Sequence, residues 1–171
     1  MARRIVSMTT IVPTGFGDTA SMTDNTYPFL LRGGSGTQLN KIWELSISGL
    51  AASSSSVTPM LLSRDSTVGT GTNTNGAGET DTALDPATAA LAAPALTGNS
   101  NATVKPQRDV ANHLANAGLN AFGGVYFWRA NRLEECFTLL GASASNGEAS
   151  LSSFTGGTPG AIGAHMIYES L

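Results

Sequence analysis

Between Leu39 and Ile47 the odd positions are Leu39, Lys41, Trp43, Leu45 and Ile47, and the even ones include Asn40, Glu44, Ser46 and Ser48. A period of two sets one group on the covered face of a sheet and the other toward solvent. Only Lys41 and Ile42 depart from the alternation. Loop sequences bracket the run, Gly33-Gly34-Ser35-Gly36 before it and Ser53–Ser56 after it. A strand that is apolar on one face needs partner strands at its edges and a second layer over that face. This segment therefore excludes a helical bundle.

The rest of the chain supplies the partners. Tyr27–Arg32 is short and apolar, and Val57–Arg64 carries Pro59 near its start, which suits an edge. Val125-Tyr126-Phe127-Trp128 is strongly strand-prone. The link Arg129–Arg132 is of hairpin length and leads into Leu133–Leu140, where Phe137 and Leu139 share a face. Glu148–Phe154 is a further short strand. Ile162–Tyr168 closes the chain with Ile162, Ala164, Met166 and Tyr168 on one side. Two pieces read as short helices. One is Asp85-Pro86 through Ala93, stopped by Pro94; the other runs from Asp109 to Gly118.

Many short strands with Gly/Pro turns predict an all-β fold. The expected architecture is an antiparallel β-sandwich or jelly roll with one or two short helices and long Ser/Thr/Gly loops. A chain of 171 residues suits one domain. Residues 1–25, with no sustained period, read as an extended N-terminal arm, and 26–171 as a single sandwich domain. Residues 65–82 are low-complexity and read as an exposed loop.

Composition then narrows function. Charged residues make up 12% of the chain, about half the usual share. Ser, Thr, Asn, Gly and Ala fill the gap, and such a surface is suited to being covered by neighbouring subunits. Aromatics are only 6%, so Phe29, Trp43, Phe122, Tyr126, Phe127, Trp128, Phe137 and Tyr168 are expected to anchor the packing. Each buried ring contributes about 1.5–3 kcal/mol. A net charge of −3 leaves no basic face for nucleic acid. No apolar run is long enough to span a bilayer, and the N-terminal run is broken by Ser7, Thr9 and Thr10. The expected product is soluble and unexported, with no nucleic-acid or membrane partner.

Candidate chemistry is thin. The histidines, His113 and His165, lack neighbouring metal ligands, so both read as surface or edge residues. Adjacent Glu134 and Glu135 would point to opposite faces of a strand. The single cysteine, Cys136, excludes an internal disulfide, and the acids beside it make it a poor nucleophile. No phosphate loop, dinucleotide fingerprint or nucleophile elbow is present. The expectation is a protein that is not an enzyme and carries no cofactor or metal.

The aromatic run offers something else. If Phe127 faces the core, Tyr126 and Trp128 face away beside Arg129, with the composition of interface anchors. The alternative is a strand buried between two layers, which hides both sets. Arg3, Arg4 and Phe16 on the arm complete the candidate protein–protein contacts.

The C-terminal third, from Leu119-Asn-Ala-Phe-Gly-Gly-Val-Tyr-Phe-Trp-Arg through Leu151-Ser-Ser-Phe-Thr-Gly-Gly-Thr-Pro-Gly-Ala-Ile-Gly-Ala-His-Met-Ile-Tyr-Glu, resembles small head proteins of tailed bacteriophages that decorate or cement the capsid lattice. The resemblance implies a β-rich fold and self-association, often as trimers. It also implies attachment to the major capsid protein on the outer face of the virion, after assembly in the host cytoplasm. It carries over no catalytic residue. The rival expectation is a receptor- or glycan-binding module of a tail or spike, and a weaker one is a major shell or tube subunit.

Overall fold

The computed structural model describes residues 4–9, 29–49, 57–69, 80–83, 96–97, 107–120, 122–153 and 162–171. In chain order the strands are β1 (Arg4–Thr9), β2 (Phe29–Arg32), β3 (Leu39–Gly49), β4 (Val57–Thr67) and β5 (Thr80–Ala83). They continue with β6 (Leu96–Thr97), β7 (Gln107–Asn120), β8 (Val125–Arg129), β9 (Phe137–Leu140), β10 (Glu148–Ser153) and β11 (Ile162–Ser170). One sheet has the order β5-β1-β11-β3-β8, with β9 also on β3; the other has the order β6-β2-β10-β4-β7. Every pairing is antiparallel.

The two sheets close on one core. Ile42, Leu45, Ile47, Leu139, Ile162, Ala164, Met166 and Tyr168 come from the first sheet, and Leu31, Met60, Leu62, Leu119, Ala149 and Leu151 from the second. The architecture is a β-sandwich, as the alternation and turn pattern require. The even face of β11 is buried as expected. The core is mostly aliphatic, and Tyr168 is its one fully buried ring among the described residues.

Several expectations are corrected. The helical piece proposed at Asp109–Gly118 lies inside β7, a long strand on β4. Its Val110, Leu114 and Ala117 fit a helical spacing, but pairing with β4 decides the local state. The piece at 85–94 lies outside the described residues. No α-helix occurs among the described residues, and one 3-10 turn, Leu133–Glu135, stands where a strand was expected to begin. Within the 1–25 arm, Arg4–Thr9 is a ladder strand between β5 and β11. The 65–82 loop loses both ends, to β4 and to β5.

The Leu39–Ile47 alternation changes face part-way. Glu44 pairs Ile167 and Ile42 pairs Tyr168, so Trp43 has no partner on β11. This extra residue is a β-bulge, and a slip of one residue exchanges the faces. After the bulge Leu45 and Ile47 point into the core. Before it, Asn40 and Ile42 do, in place of Leu39 and Lys41. A relay serves the buried Asn40 Oδ1, in which Gln38 donates to Ser170 Oγ at 3.3 Å and Ser170 donates to Asn40, while Asn40 Nδ2 has no acceptor.

Candidate functional site

The bulge at Trp43 also divides the edge of the first sheet. Glu44–Ser48 pair with Arg129–Val125, and Leu39–Ile42 pair with Leu140–Phe137. Both β8 and β9 thus run the same way along β3. They are one edge strand interrupted by residues 130–136, not the arms of a hairpin. Ala130 N–H donates to the Trp43 carbonyl at 2.9 Å, so the excursion leaves the sheet opposite the bulge. Across the gap the Trp128 and Phe137 rings stack, with centroids 4.0 Å apart and planes 12° apart.

The faces of β8 are the reverse of the conditional expectation. Tyr126 and Trp128 pack against the core, and burial raises the Tyr126 phenol above its ordinary range. Val125 (74% exposed), Phe127 (58% exposed) and Arg129 face solvent. Phe122 is also exposed, in the corner that joins β7 to β8. That corner is tight: Gly124 N–H donates to the Asn120 carbonyl at 2.7 Å, and a Cβ on Gly124 would meet that oxygen at 2.5 Å. Leu140 and Leu133 extend the exposed apolar set along β9 and the excursion. Sequence reasoning passed over Phe127 and Val125 as outward residues, because parity within a strand cannot fix which set points inward.

A strand at a sheet edge presents one row of backbone N–H and C=O groups to whatever approaches. On β8 that row runs beside a valine, a phenylalanine and one cation. Arg129 is the only charged residue of β8, and its Nε lies 3.8 Å from Glu44 Oε2. Of the other interface candidates, Arg4 begins β1 opposite Ser170. Arg3 and Phe16 lie outside the described residues.

The outer face of the same sheet carries a polar group of its own. Ser7 Oγ and His165 Nε2 share a hydrogen bond of 2.7 Å, while His165 Nδ1 is 4.0 Å from Glu44 Oε1. His165 is therefore on a central strand, not an edge. Serine, histidine and carboxylate in that order are the parts of an acyl-transfer relay. Such a relay also needs N–H donors aimed at a developing oxyanion. β1 and β11 are both paired on two sides, so the neighbouring N–H groups are used in the ladder. The Ser7–His165 bond ties β1 to β11.

Cys136 is buried at the end of the excursion, and its Sγ–H lies 3.8 Å from the Arg132 carbonyl. Burial pushes the thiol up, reinforced by Glu169, Glu134 and Glu135 against Lys41. Glu134 and Glu135 sit in the 3-10 turn, where Glu135 Oε2 accepts from Asn131 N at 2.8 Å. His113 is exposed on β7. Among the described residues no group of three or more His, Cys, Asp or Glu side chains is placed to hold a metal ion, and no helix is long and apolar enough to cross a membrane.

No family model matches the chain, and neither does any curated protein or solved structure.

Proposed function

We propose that this protein is a virion structural subunit that decorates or cements the capsid lattice through protein–protein contacts. The observation that carries the reading is the exposed apolar edge at β8, with Val125, Phe127 and adjacent Phe122 in the open on a chain with only 12% charged residues. Contiguous exposed apolar surface on a soluble protein marks an interaction site. The resemblance of the C-terminal third to head decoration proteins supports the same reading. Its partners are copies of itself and the major capsid protein, its place the outer face of the capsid, and it needs no cofactor and performs no reaction.

Quantitative mass spectrometry of purified particles tests this. A copy number comparable with that of the major capsid protein is expected. A handful of copies, with binding of the isolated protein on a glycan array, makes it a receptor-binding module of a tail or spike. Presence in infected-cell lysate with none in purified particles ends the virion assignment.

A further inference from the structure

In the second sheet, β2, β10 and β4 are neighbours; Arg32 pairs Glu148, and Asp65 follows Arg64, the partner of Ala149. Ala149, Leu151 and Leu62 face the core, so Glu148, Ser150, Ser63 and Asp65 face away from it. All four are nevertheless fully buried, at 0% exposure. Charges this deep must be balanced, and their oxygens must be given donors.

Most donors can be traced. Ser150 Oγ donates to Asp65 Oδ1 at 2.6 Å. The Gly69 N–H donates to Glu148 Oε1 at 2.8 Å, and Arg32 Nη1 donates to the Gly69 carbonyl at 2.8 Å. Asp65 Oδ2 and Glu148 Oε2 have no hydrogen-bond donor, and buried Ser63 Oγ has no partner. Arg32 Nη1 lies 3.4 Å from Glu148 Oε2. It brings one positive charge to two carboxyl groups that are within hydrogen-bonding reach of each other. Arg64 is directed elsewhere, with Nη2 donating to the Thr138 carbonyl at 2.9 Å, and Arg108 of β7 is the register partner of Asp65.

We propose that Asp65 and Glu148 hold a single proton between them, and that this proton latches the backbone at Gly69 onto the sheet. A protonated Asp65 gives its O–H to Glu148, which satisfies both orphan oxygens and leaves one carboxylate for Arg32. Glu148 Oε1 and Arg32 then close on the backbone N–H and C=O of Gly69. Alkali removes the proton to solvent, two buried carboxylates repel, and the clasp on Gly69 opens. Burial, with the Glu148 charge adding to it against the Ser150 hydrogen bond, pushes Asp65 up to about 8, and burial raises Glu148 as well. The native state therefore keeps a proton that the unfolded chain gives up near 3.8. The latch's stabilisation is full below that value and is lost as pH rises through about 8.

Amide hydrogen exchange of the full chain, corrected for base-catalysed intrinsic exchange, reads the clasp at Gly69. Protection is expected to fall by up to tenfold per pH unit as pH rises from about 4 towards about 8, and to level off above that. Asp65→Asn keeps a donor toward Glu148 and removes the proton that Asp65 holds up to about 8, so the fall in its Gly69 protection towards that pH is lost. Glu148→Gln keeps the acceptor for Gly69 N–H, and its opening step is absent or moved; it serves if Asp65→Asn does not fold. Wild-type protection that is unchanged to about pH 9.5 overturns the proposal, as does an Asp65→Asn protein as pH-sensitive as wild type. Calcium chloride that restores protection at alkaline pH overturns it in favour of a cation at the same oxygens.

Discussion

At the scale of single residues, burial and close approach decide what each side chain tolerates. Gly33 lies against the loop that follows β9, where a Cβ would come within 2.3 Å of the Gly141 carbonyl oxygen. Backbone cannot yield there as a flexible side chain would. Gly33→Ala is expected to cost about 2 kcal/mol or more, read as a thermal midpoint lower by several degrees. Cys136 gives a second test. Its thiol is buried and raised, so a disulfide reagent such as dithionitrobenzoate is expected to react slowly with the folded protein near neutral pH and rapidly after denaturation. Fast stoichiometric reaction of the native protein contradicts that burial. The sequence placed Cys136 correctly as a packing residue, because a lone thiol among acids has little else to do. It misplaced Asp65 in an exposed loop. Nothing in Arg64-Asp65-Ser66-Thr67 announces that Glu148 and Ser150 will lie beside it from far along the chain.

At the scale of elements, the informative pair is the inward and outward faces of β8. Trp128 stacks on Phe137 over the core, and its ring stitches β8 to β9 across the excursion. Trp128→Ala is expected to destabilise the monomer by about 3 kcal/mol, seen in denaturant unfolding of the isolated chain. Phe127→Ser removes an exposed ring and is expected to leave that unfolding curve within about 0.5 kcal/mol of wild type. Its effect should appear instead as weakened self-association or particle binding in sedimentation. If Phe127→Ser unfolds the monomer and leaves association intact, the edge is not the contact. Strand existence was largely legible from the chain, since Leu39–Ile47, Val57–Arg64, Val125–Trp128 and Ile162–Tyr168 all fall in strands. Strand facing was not. Leu39, Lys41 and Trp43 look like the continuation of Leu45 and Ile47 until β11 pairs past Trp43 and turns them over. The same locality explains the hairpin read at Arg129–Arg132, where β3 instead takes both segments in one direction.

At the scale of the whole molecule, a surface with few ions makes a specific claim about assembly. Contacts formed by apolar edges and hydroxyl-rich faces are barely screened by salt, unlike those formed by charge. Association, measured by sedimentation, is expected to persist or strengthen from about 0.1 M to about 1 M sodium chloride. Dissociation by salt over that range would place the contact on ion pairs such as those of Arg129 rather than on Phe127.

Local pattern by itself determined that this chain is all-β, and that Ile162, Ala164, Met166 and Tyr168 share a buried face. Period two, turn residues and β-propensity act within a few residues, so they can be read without a fold. Only the tertiary structure decided that Asp109–Gly118 is a strand, that the bulge at Trp43 exchanges faces, that Phe127 is the exposed ring, and that Asp65 meets Glu148. Each of those outcomes depends on which distant strand lies alongside, and the energy that selects the neighbour is shared across the sandwich rather than held in any one segment.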